Sequence, residues 1–90
     1  MPKWIKTDLG FLVYRMRLSL DESRVQFAKR FMVTPITVFN WERGKSLKIQ
    51  NIHEVLLRDL ANQLATNGRL IQPEMAEQRY QREVGSGLAF

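Results

Sequence analysis

The sequence predicts an all-α protein, a compact bundle of about five helices. Apolar residues recur at spacings of three and four along several stretches, as they do on one face of an α-helix. Between Ser23 and Gly44, two helix-start signals and one helix-stop signal follow one another closely. The chain has 90 residues, of which 44% are hydrophobic, which is enough for one folded domain with a modest core.

The first helix is expected to begin after Thr7, a capping residue, and to run to about Leu18. Arg15 and Arg17 lie off its apolar face. The residues of that face share the helical spacing and are Leu9, Leu12, Val13 and Met16.

The second helix is expected from about Arg24 to Phe31, after a connector in which Leu20 is the apolar anchor. Ser23 is a favourable N-cap, and Gln26 three residues later completes a capping box. The residues expected on the inner face of this helix are Phe27, Ala28 and Phe31.

The third helix is expected to begin at Thr34 and Pro35, a capping residue followed by the residue favoured at the first helical position. Gly44 stands where such a helix should end in a left-handed cap. Val38 and Trp41 are expected to point inward. Only two or three residues separate the second and third helices, so the two must cross steeply. This is the arrangement of a helix-turn-helix, which can lay its second helix in the DNA major groove.

The fourth helix is expected from about Ile52 to Thr66, with Asn51 and Glu54 as an N-cap pair and Asn67-Gly68 as its left-handed end. Its predicted apolar stripe comprises Ile52, Val55, Leu56, Leu60 and Leu64, widened by Leu57 and Ala61.

A last helix, opened by Pro73, is expected over about 74–84 and is followed by a flexible tail. Its apolar stripe of Met75, Ala76, Tyr80 and Val84 is weak. The helix therefore packs on the rest of the domain, pairs with a second copy of the chain, or forms only in part. We divide the chain into a helix-turn-helix domain, 1–68, and a C-terminal extension, 69–90.

The charge distribution favours a polyanionic partner. The formal net charge is +5. Residues 1–50 carry ten lysines and arginines against four acidic residues, whereas residues 51–90 carry four against five. The excess positive charge thus lies in the half that contains the helix-turn-helix, where it would attract nucleic acid by releasing counterions.

Several classes of function are disfavoured. The chain has no cysteine and one histidine, His53, so we expect no metal site, no cofactor and no nucleophile–base pair. There is no glycine-rich phosphate loop, and we predict that the protein is not an enzyme. No apolar run is long enough for a membrane span, and the N-terminus lacks the apolar stretch of a signal peptide. These features predict a cytoplasmic protein without a membrane partner.

The central stretch resembles the lambda-repressor-like, Cro-type helix-turn-helix family, also called XRE. The resemblance covers about residues 9 to 66, and the ending WERGK at Lys45 is its most specific part. The residues that match the family pattern are Arg17, Arg24, Ala28, Val33, Thr34, Val38, Trp41, Glu42 and Gly44. The resemblance implies a lambda-repressor-like bundle around a DNA-binding helix-turn-helix.

The resemblance also implies roles for individual residues. The positions that face the major groove are Pro35, Ile36, Thr37 and Asn40. The positions that contact the DNA backbone are Arg24, Thr34, Arg43, Lys45 and Lys48. Arg17 and Glu42 match a structural salt bridge between the first and third helices.

The chemistry of these side chains refines the roles. Asn40 can bond both N6 and N7 of adenine, and Ile36 offers a surface to thymine methyl groups. Thr37 either bonds the DNA or caps its own helix, and Arg43 either reaches the DNA or solvates the helix end. Phe39 either stacks on sugar or methyl groups or, as we favour, fills the seam against the loop after Gly44.

Two positions depart from the family pattern. Met32 stands where glycine is usual because the turn takes a positive φ. Either the methionine costs about 1 kcal/mol or more there, or the turn has a different shape. Glu22 stands at a normally apolar position that staples the second helix, a role that Leu20 can take.

We therefore predict a sequence-specific regulator of transcription, a repressor that binds a palindromic site on double-stranded DNA as a homodimer. A flank of the fourth helix and the segment after Pro73 are the candidate dimer faces. The alternative is an antitoxin that binds a partner toxin through its C-terminal segment and autoregulates its operon. A third alternative is a structural oligomer that does not bind DNA.

Overall fold

The structure, a computed structural model, describes residues 8–43 and 51–85. Its helices are α1 (Asp8–Ser19), α2 (Arg24–Arg30), α3 (Pro35–Arg43), α4 (Asn51–Thr66) and α5 (Pro73–Gly85). The predicted all-α bundle of about five helices is confirmed. Features predicted at Thr7, at Gly44 to Lys48 and in the tail after residue 85 lie outside the described residues. None of the described helices is both long enough and apolar enough to cross a membrane.

Helix α1 lies at the centre of the fold. It packs against α3, α4 and α5, and α2 in turn packs against α3. Its predicted apolar face is buried at Leu9, Val13 and Met16, with Leu12 at the edge of the core. The other buried members of this core come from α2 and its C-cap residue, from α3 and from α4. They are Phe27, Ala28, Phe31, Val38, Trp41, Leu57, Ala61 and Leu64. The inward residues predicted for α2 and α3 are therefore confirmed.

Two of the predicted helix ends, the capping box at Ser23 and the left-handed end at Gly68, are present. The backbone N–H of Gln26 donates to Ser23 Oγ at 3.2 Å, and the Ser23 N–H donates to Gln26 Oε1 at 2.9 Å, which completes the capping box. Gly68 has φ +69°, and the next residue, Arg69, returns its N–H to the Leu64 carbonyl at 2.8 Å. The second pattern is a Schellman motif, in which a left-handed residue closes the helix.

Part of the apolar stripe predicted for α4 is wrong. Ile52, Val55 and Leu56 are 66%, 66% and 45% exposed, whereas the buried face consists of Leu57, Ala61 and Leu64. At about 100° per residue, Ile52 and Val55 lie on the side of the helix opposite the buried face, and Leu56 lies between the two sides. The described helix starts at Asn51, directly after residues that lie outside the description, so the N-cap pair of Asn51 and Glu54 stays a prediction. Glu54 accepts a hydrogen bond from Arg58 at 3.0 Å.

Helix α5 packs on the face of α1 opposite the main core. Of the three alternatives that we considered for this helix, the structure therefore contains the one in which it packs on the rest of the domain. A second cluster of buried residues joins the two helices and consists of Phe11, Tyr14 and Ala76, with Leu18, Ile71 and Tyr80 packed around it. Met75, predicted as part of the stripe, is 56% exposed. Helix α1 is thus covered on two sides, which its single predicted stripe did not indicate.

The connection between α4 and α5 is held to α1 by side chains. Arg15 Nε donates to the Ile71 carbonyl at 3.0 Å, and the Ile71 N–H donates to Ser19 Oγ at 2.7 Å. The Ser19 hydroxyl in turn donates to the Arg15 carbonyl at 2.7 Å. Burial lowers the pKa of Arg15, and the nearby Glu74 carboxylate opposes this shift. Both backbone polar groups of Ile71 are therefore satisfied, as partly buried backbone requires.

Tyr14 joins α1 to the end of α5. Its hydroxyl donates to Glu83 Oε2 at 2.6 Å, and its ring meets the ring of Tyr80 edge-on at a centroid distance of 6.3 Å. Burial raises the pKa of the Tyr14 phenol, and the hydrogen bond to Glu83 raises it further. The folded protein therefore holds the phenolic proton to higher pH than the unfolded chain does.

This linkage predicts the alkaline behaviour of a Tyr14→Phe variant. At pH 8 the variant should be less stable by roughly 1–2 kcal/mol, because it loses the bond to Glu83. Above pH ~10 the unfolded wild type releases the Tyr14 proton while the folded form keeps it. The wild-type advantage should then shrink by up to about 1.4 kcal/mol per pH unit. Urea unfolding of both proteins from pH 8 to pH 11 measures the difference. A difference that stays constant over this range contradicts the assignment.

Candidate functional site

The turn between α2 and α3 has the backbone that glycine favours, although Met32 occupies it. Met32 has φ +56°, and its N–H donates to the Lys29 carbonyl at 3.4 Å. The N–H of Val33 donates to the Ala28 carbonyl at 3.1 Å. These two bonds are the same Schellman pattern that Gly68 makes at the end of α4. The alternative of a differently shaped turn is therefore wrong, and the methionine occupies the strained conformation.

The start of α3 is capped by threonine hydroxyls. The Thr37 N–H donates to Thr34 Oγ1 at 3.4 Å, and the two threonine hydroxyls lie 2.9 Å apart. We considered that Thr37 either bonds the DNA or caps its own helix, and the structure contains the contacts at the start of the helix. Because Pro35 has no N–H, it leaves no unsatisfied donor in this first turn.

Helix α3 presents one face to the core and another to the outside. Val38 and Trp41 are buried, whereas Pro35 and Ile36 are exposed, Ile36 by 60%. Thr37 and Asn40 are half-buried beside them. The four predicted base-contacting residues thus lie together around the first two turns of α3, away from the core.

A buried carboxylate holds α1, α2 and α3 together. Glu42 has no exposed surface. Arg17 of α1 donates to its Oε2 from Nε at 2.7 Å and to its Oε1 from Nη2 at 3.4 Å. The predicted Arg17–Glu42 ion pair is therefore present. Arg17 Nη1 also donates to the Glu22 carbonyl at 3.2 Å, which ties the connector before α2 to the same group.

Arg24 of α2 is a second partner of this carboxylate. It donates to Glu42 Oε1 from Nε at 3.2 Å and from Nη2 at 3.1 Å. Its side chain is 26% exposed, so it runs from the buried acid to the surface. Two arginines against one carboxylate leave a net positive charge at the edge of α3. The family resemblance did not imply this contact. The sequence does contain a signal for it, because Glu42 is the one acidic residue between Ser23 and Gly44, a stretch that carries several basic residues.

Phe39 is in contact with two guanidinium groups. The Cζ atoms of Arg24 and Arg43 are each 5.1 Å from the centre of its ring, within the range of cation–π contacts. The loop after Gly44, against which we expected Phe39 to pack, lies outside the described residues. On the outer side, Phe39 lines a shallow hollow of about 410 Å³ together with Arg24, Pro35 and Ile36. We call this feature the apolar hollow, because its lining surface is almost wholly apolar.

Three further charged or titratable residues near α2 and α3, Glu22, Arg30 and His53, have local partners. Arg30 donates to Glu22 Oε2 from Nη2 at 2.7 Å, and this contact raises the pKa of Arg30. Glu22 thus joins the connector to α2 by an ion pair, and Leu20 packs against the core beside it. His53 lies against Trp41 at a ring-centroid distance of 5.5 Å. Across residues 8–43 and 51–85, no three side chains of His, Cys, Asp or Glu are grouped to hold a metal ion.

Comparison with known proteins adds no relative. No family model matches the chain. No curated protein matches it significantly, and neither does any solved structure.

Replacing the left-handed methionine by glycine should stabilise the fold. A non-glycine residue in this conformation costs about 1–2 kcal/mol, which glycine avoids. Part of this gain is offset, because glycine loses more conformational entropy on folding than methionine does. Met32 is 93% exposed, so its side chain contributes little packing. Met32→Gly should therefore raise the free energy of unfolding by about 0.5–1 kcal/mol in urea titrations, with an unchanged slope. Met32→Ala, which keeps the strain, should show no such gain, and equal stabilisation by both would contradict the argument.

Removing the charge of Glu42 should destabilise the fold strongly. Glu42→Gln leaves the buried Arg17 without its carboxylate, which typically costs about 3–5 kcal/mol. Glu54→Gln is the matched control, because it breaks an exposed pair with Arg58 that is worth at most about 0.5 kcal/mol. Thermal and urea unfolding compare the two variants. Similar small losses in both would show that the buried triad does not hold the helices together.

Proposed function

We propose that the protein is a sequence-specific, double-stranded DNA-binding regulator of transcription, a repressor of the lambda-repressor-like, Cro-type class. The observation that carries the proposal is the outward face of α3. It is presented after a tight turn, and the acid at the end of the helix is buried and outnumbered by two arginines. A recognition helix needs an exposed face, a fixed orientation and no uncompensated negative charge near phosphates.

The groups exposed along α3 suit the major groove. Asn40 offers an amide that can bond adenine at two positions, and Ile36 offers carbon surface to thymine methyl groups. Pro35 lies beside Ile36 at the exposed start of the helix. Thr37 contributes mainly through its methyl group, because its hydroxyl is engaged with Thr34.

Backbone contacts would come from the rim of the same face. Arg24 and Arg43 flank Phe39, and Thr34 lies exposed at the start of α3. Lys45 and Lys48, which lie outside the described residues, remain proposed as further backbone contacts. Arg24 then has two roles, since it also binds Glu42. The net charge of +5 and its concentration in residues 1–50 support binding through phosphate contacts, with affinity that falls as salt rises.

The proposal includes a homodimer on a palindromic site. One recognition helix contacts only a few base pairs, whereas two helices on half-sites about one helical turn apart give useful specificity. The exposed apolar side chains of α4 support this part, because Ile52, Val55 and Leu56 share one side of that helix. Such a cluster is the kind of surface that a partner copy can cover.

The C-terminal helix supports the regulator over the antitoxin alternative. An antitoxin segment that orders only on its toxin would have little to bind within its own chain. Here α5 buries Ala76 against α1, and Glu83 accepts the hydrogen bond of Tyr14. The side of α5 that packs on α1 is not accessible to a co-regulator. Such a partner would have to bind an exposed side of α5, such as the one that carries Met75.

Selection of binding sites from random duplexes, followed by affinity measurements on the selected site, tests the proposal. Wild type should enrich a palindrome, and Asn40→Ala should lose about 5- to 100-fold discrimination at one adenine position. Gln72→Ala is the matched control, because it removes an exposed amide from the connection between α4 and α5, outside α3 and outside both candidate dimer faces. Its affinity and discrimination should equal those of wild type.

Two results would count against the proposal. Enrichment of no sequence, with no affinity for any duplex at low salt, would remove DNA binding altogether and favour a structural oligomer. An equal loss of affinity on selected and random DNA for Asn40→Ala would remove its role as a base contact.

A further inference from the structure

We propose that the apolar hollow is a specificity pocket for the C5-methyl group of thymine, with Phe39 and Ile36 as the residues that determine this preference. The inference rests on the proposed DNA-binding function and adds Phe39, which the predicted set of base contacts did not contain. The carbon surfaces of Pro35, Ile36 and Phe39, with the stem of Arg24, line the hollow at the exposed start of α3.

The surroundings of the hollow favour DNA as its occupant. Two guanidinium groups lie over the Phe39 ring that lines it, one of them held by the buried Glu42. Arg17 and Arg24 together outnumber the carboxylate of Glu42, so the surroundings of the hollow carry a net positive charge that an apolar ligand or an uncharged protein surface would not match. DNA supplies phosphates for the cations and base edges for the apolar surface in the same contact.

Only one group on the major-groove edges of the bases suits an apolar surface. Guanine and adenine present nitrogen and oxygen atoms there, and cytosine presents an amino group, all of which lose hydrogen bonds against carbon. Thymine alone adds a methyl group, which gains by leaving water. The hollow therefore discriminates thymine by the burial of its methyl group, while Asn40 makes its polar contacts one turn further along α3.

Contacts with two arginines hold Phe39 in place for this role. The cation–π contacts with Arg24 and Arg43 restrain the ring, and Arg24 is itself restrained by two hydrogen bonds to Glu42. A restrained ring presents a fixed surface and loses little freedom when the methyl group binds. Phe39 thus acts on specificity, whereas the arginines act on affinity for the backbone.

Replacement of single thymines by deoxyuridine in the selected duplex tests the pocket, because this change removes the methyl group and nothing else. For wild type, one thymine in each half-site should show about fourfold weaker binding when replaced, the value for one buried methyl group. Ile36→Ala should reduce this ratio towards one at the same position. Phe39→Leu should reduce it as well, and Ile36 is exposed enough that its variant keeps the fold if the Phe39 variant does not. Val25→Ala, which trims an exposed aliphatic side chain of α2 outside the hollow, should keep the fourfold ratio.

Sequence-specific binding that tolerates deoxyuridine at every position would overturn the pocket and leave the proposed function standing. A fourfold ratio that persists in Ile36→Ala would assign the methyl contact elsewhere and also overturn it. A selection that enriches no sequence would instead overturn the proposed function, and the pocket with it.

Discussion

The structure depends on one buried carboxylate. Glu42 is fully enclosed, and a buried charge is tolerated only when its partners replace the water that it has lost. Arg17 and Arg24 supply that replacement from two different helices. Because the three side chains belong to α1, α2 and α3, the pairing fixes the rotation of α3 about its axis. The orientation of its exposed face is therefore set by the ion pairs of a buried residue on the same helix.

The two arginines that bind Glu42 also contact aromatic residues, one at the exposed face of α3 and the other next to α5. Outward, Arg24 lies over Phe39, which lines the apolar hollow next to Ile36. Inward, the Arg17 guanidinium lies 5.5 Å from the centre of the Tyr14 ring, and Tyr14 binds Glu83 on α5. Helix α5 is thus part of the packing around α1 and helps to enclose the side of the bundle that carries the ion pairs.

Local signals in the sequence predicted the parts of the fold that local chemistry determines. The capping box at Ser23, the left-handed end at Gly68 and the inward Val38 and Trp41 are all present. Each depends on residues within a few positions along the chain. The Arg17–Glu42 pair is a contact over 25 positions, and the family resemblance implied it.

Features that depend on which helix covers which face were less predictable. The wide apolar surface of α4 gives no indication of which side α1 covers, so Ile52, Val55 and Leu56 were assigned to the core wrongly. The burial of Tyr14 depends on where α5 packs, which its weak stripe left open. The contact of Arg43 with Phe39 follows from their spacing of four residues on one helix, whereas the contact of Arg24 with Phe39 depends on how α2 packs against α3.

Nuclear magnetic resonance of the labelled protein with a selected duplex tests the central claim most directly, that the face of α3 fixed by Glu42 meets DNA. The account predicts that the largest amide shift changes fall between Ile36 and Arg43, with small changes at exposed positions of α5 such as Gln78 and Gln81. Shift changes centred on α4 or α5, with the amides of α3 unchanged, would contradict it.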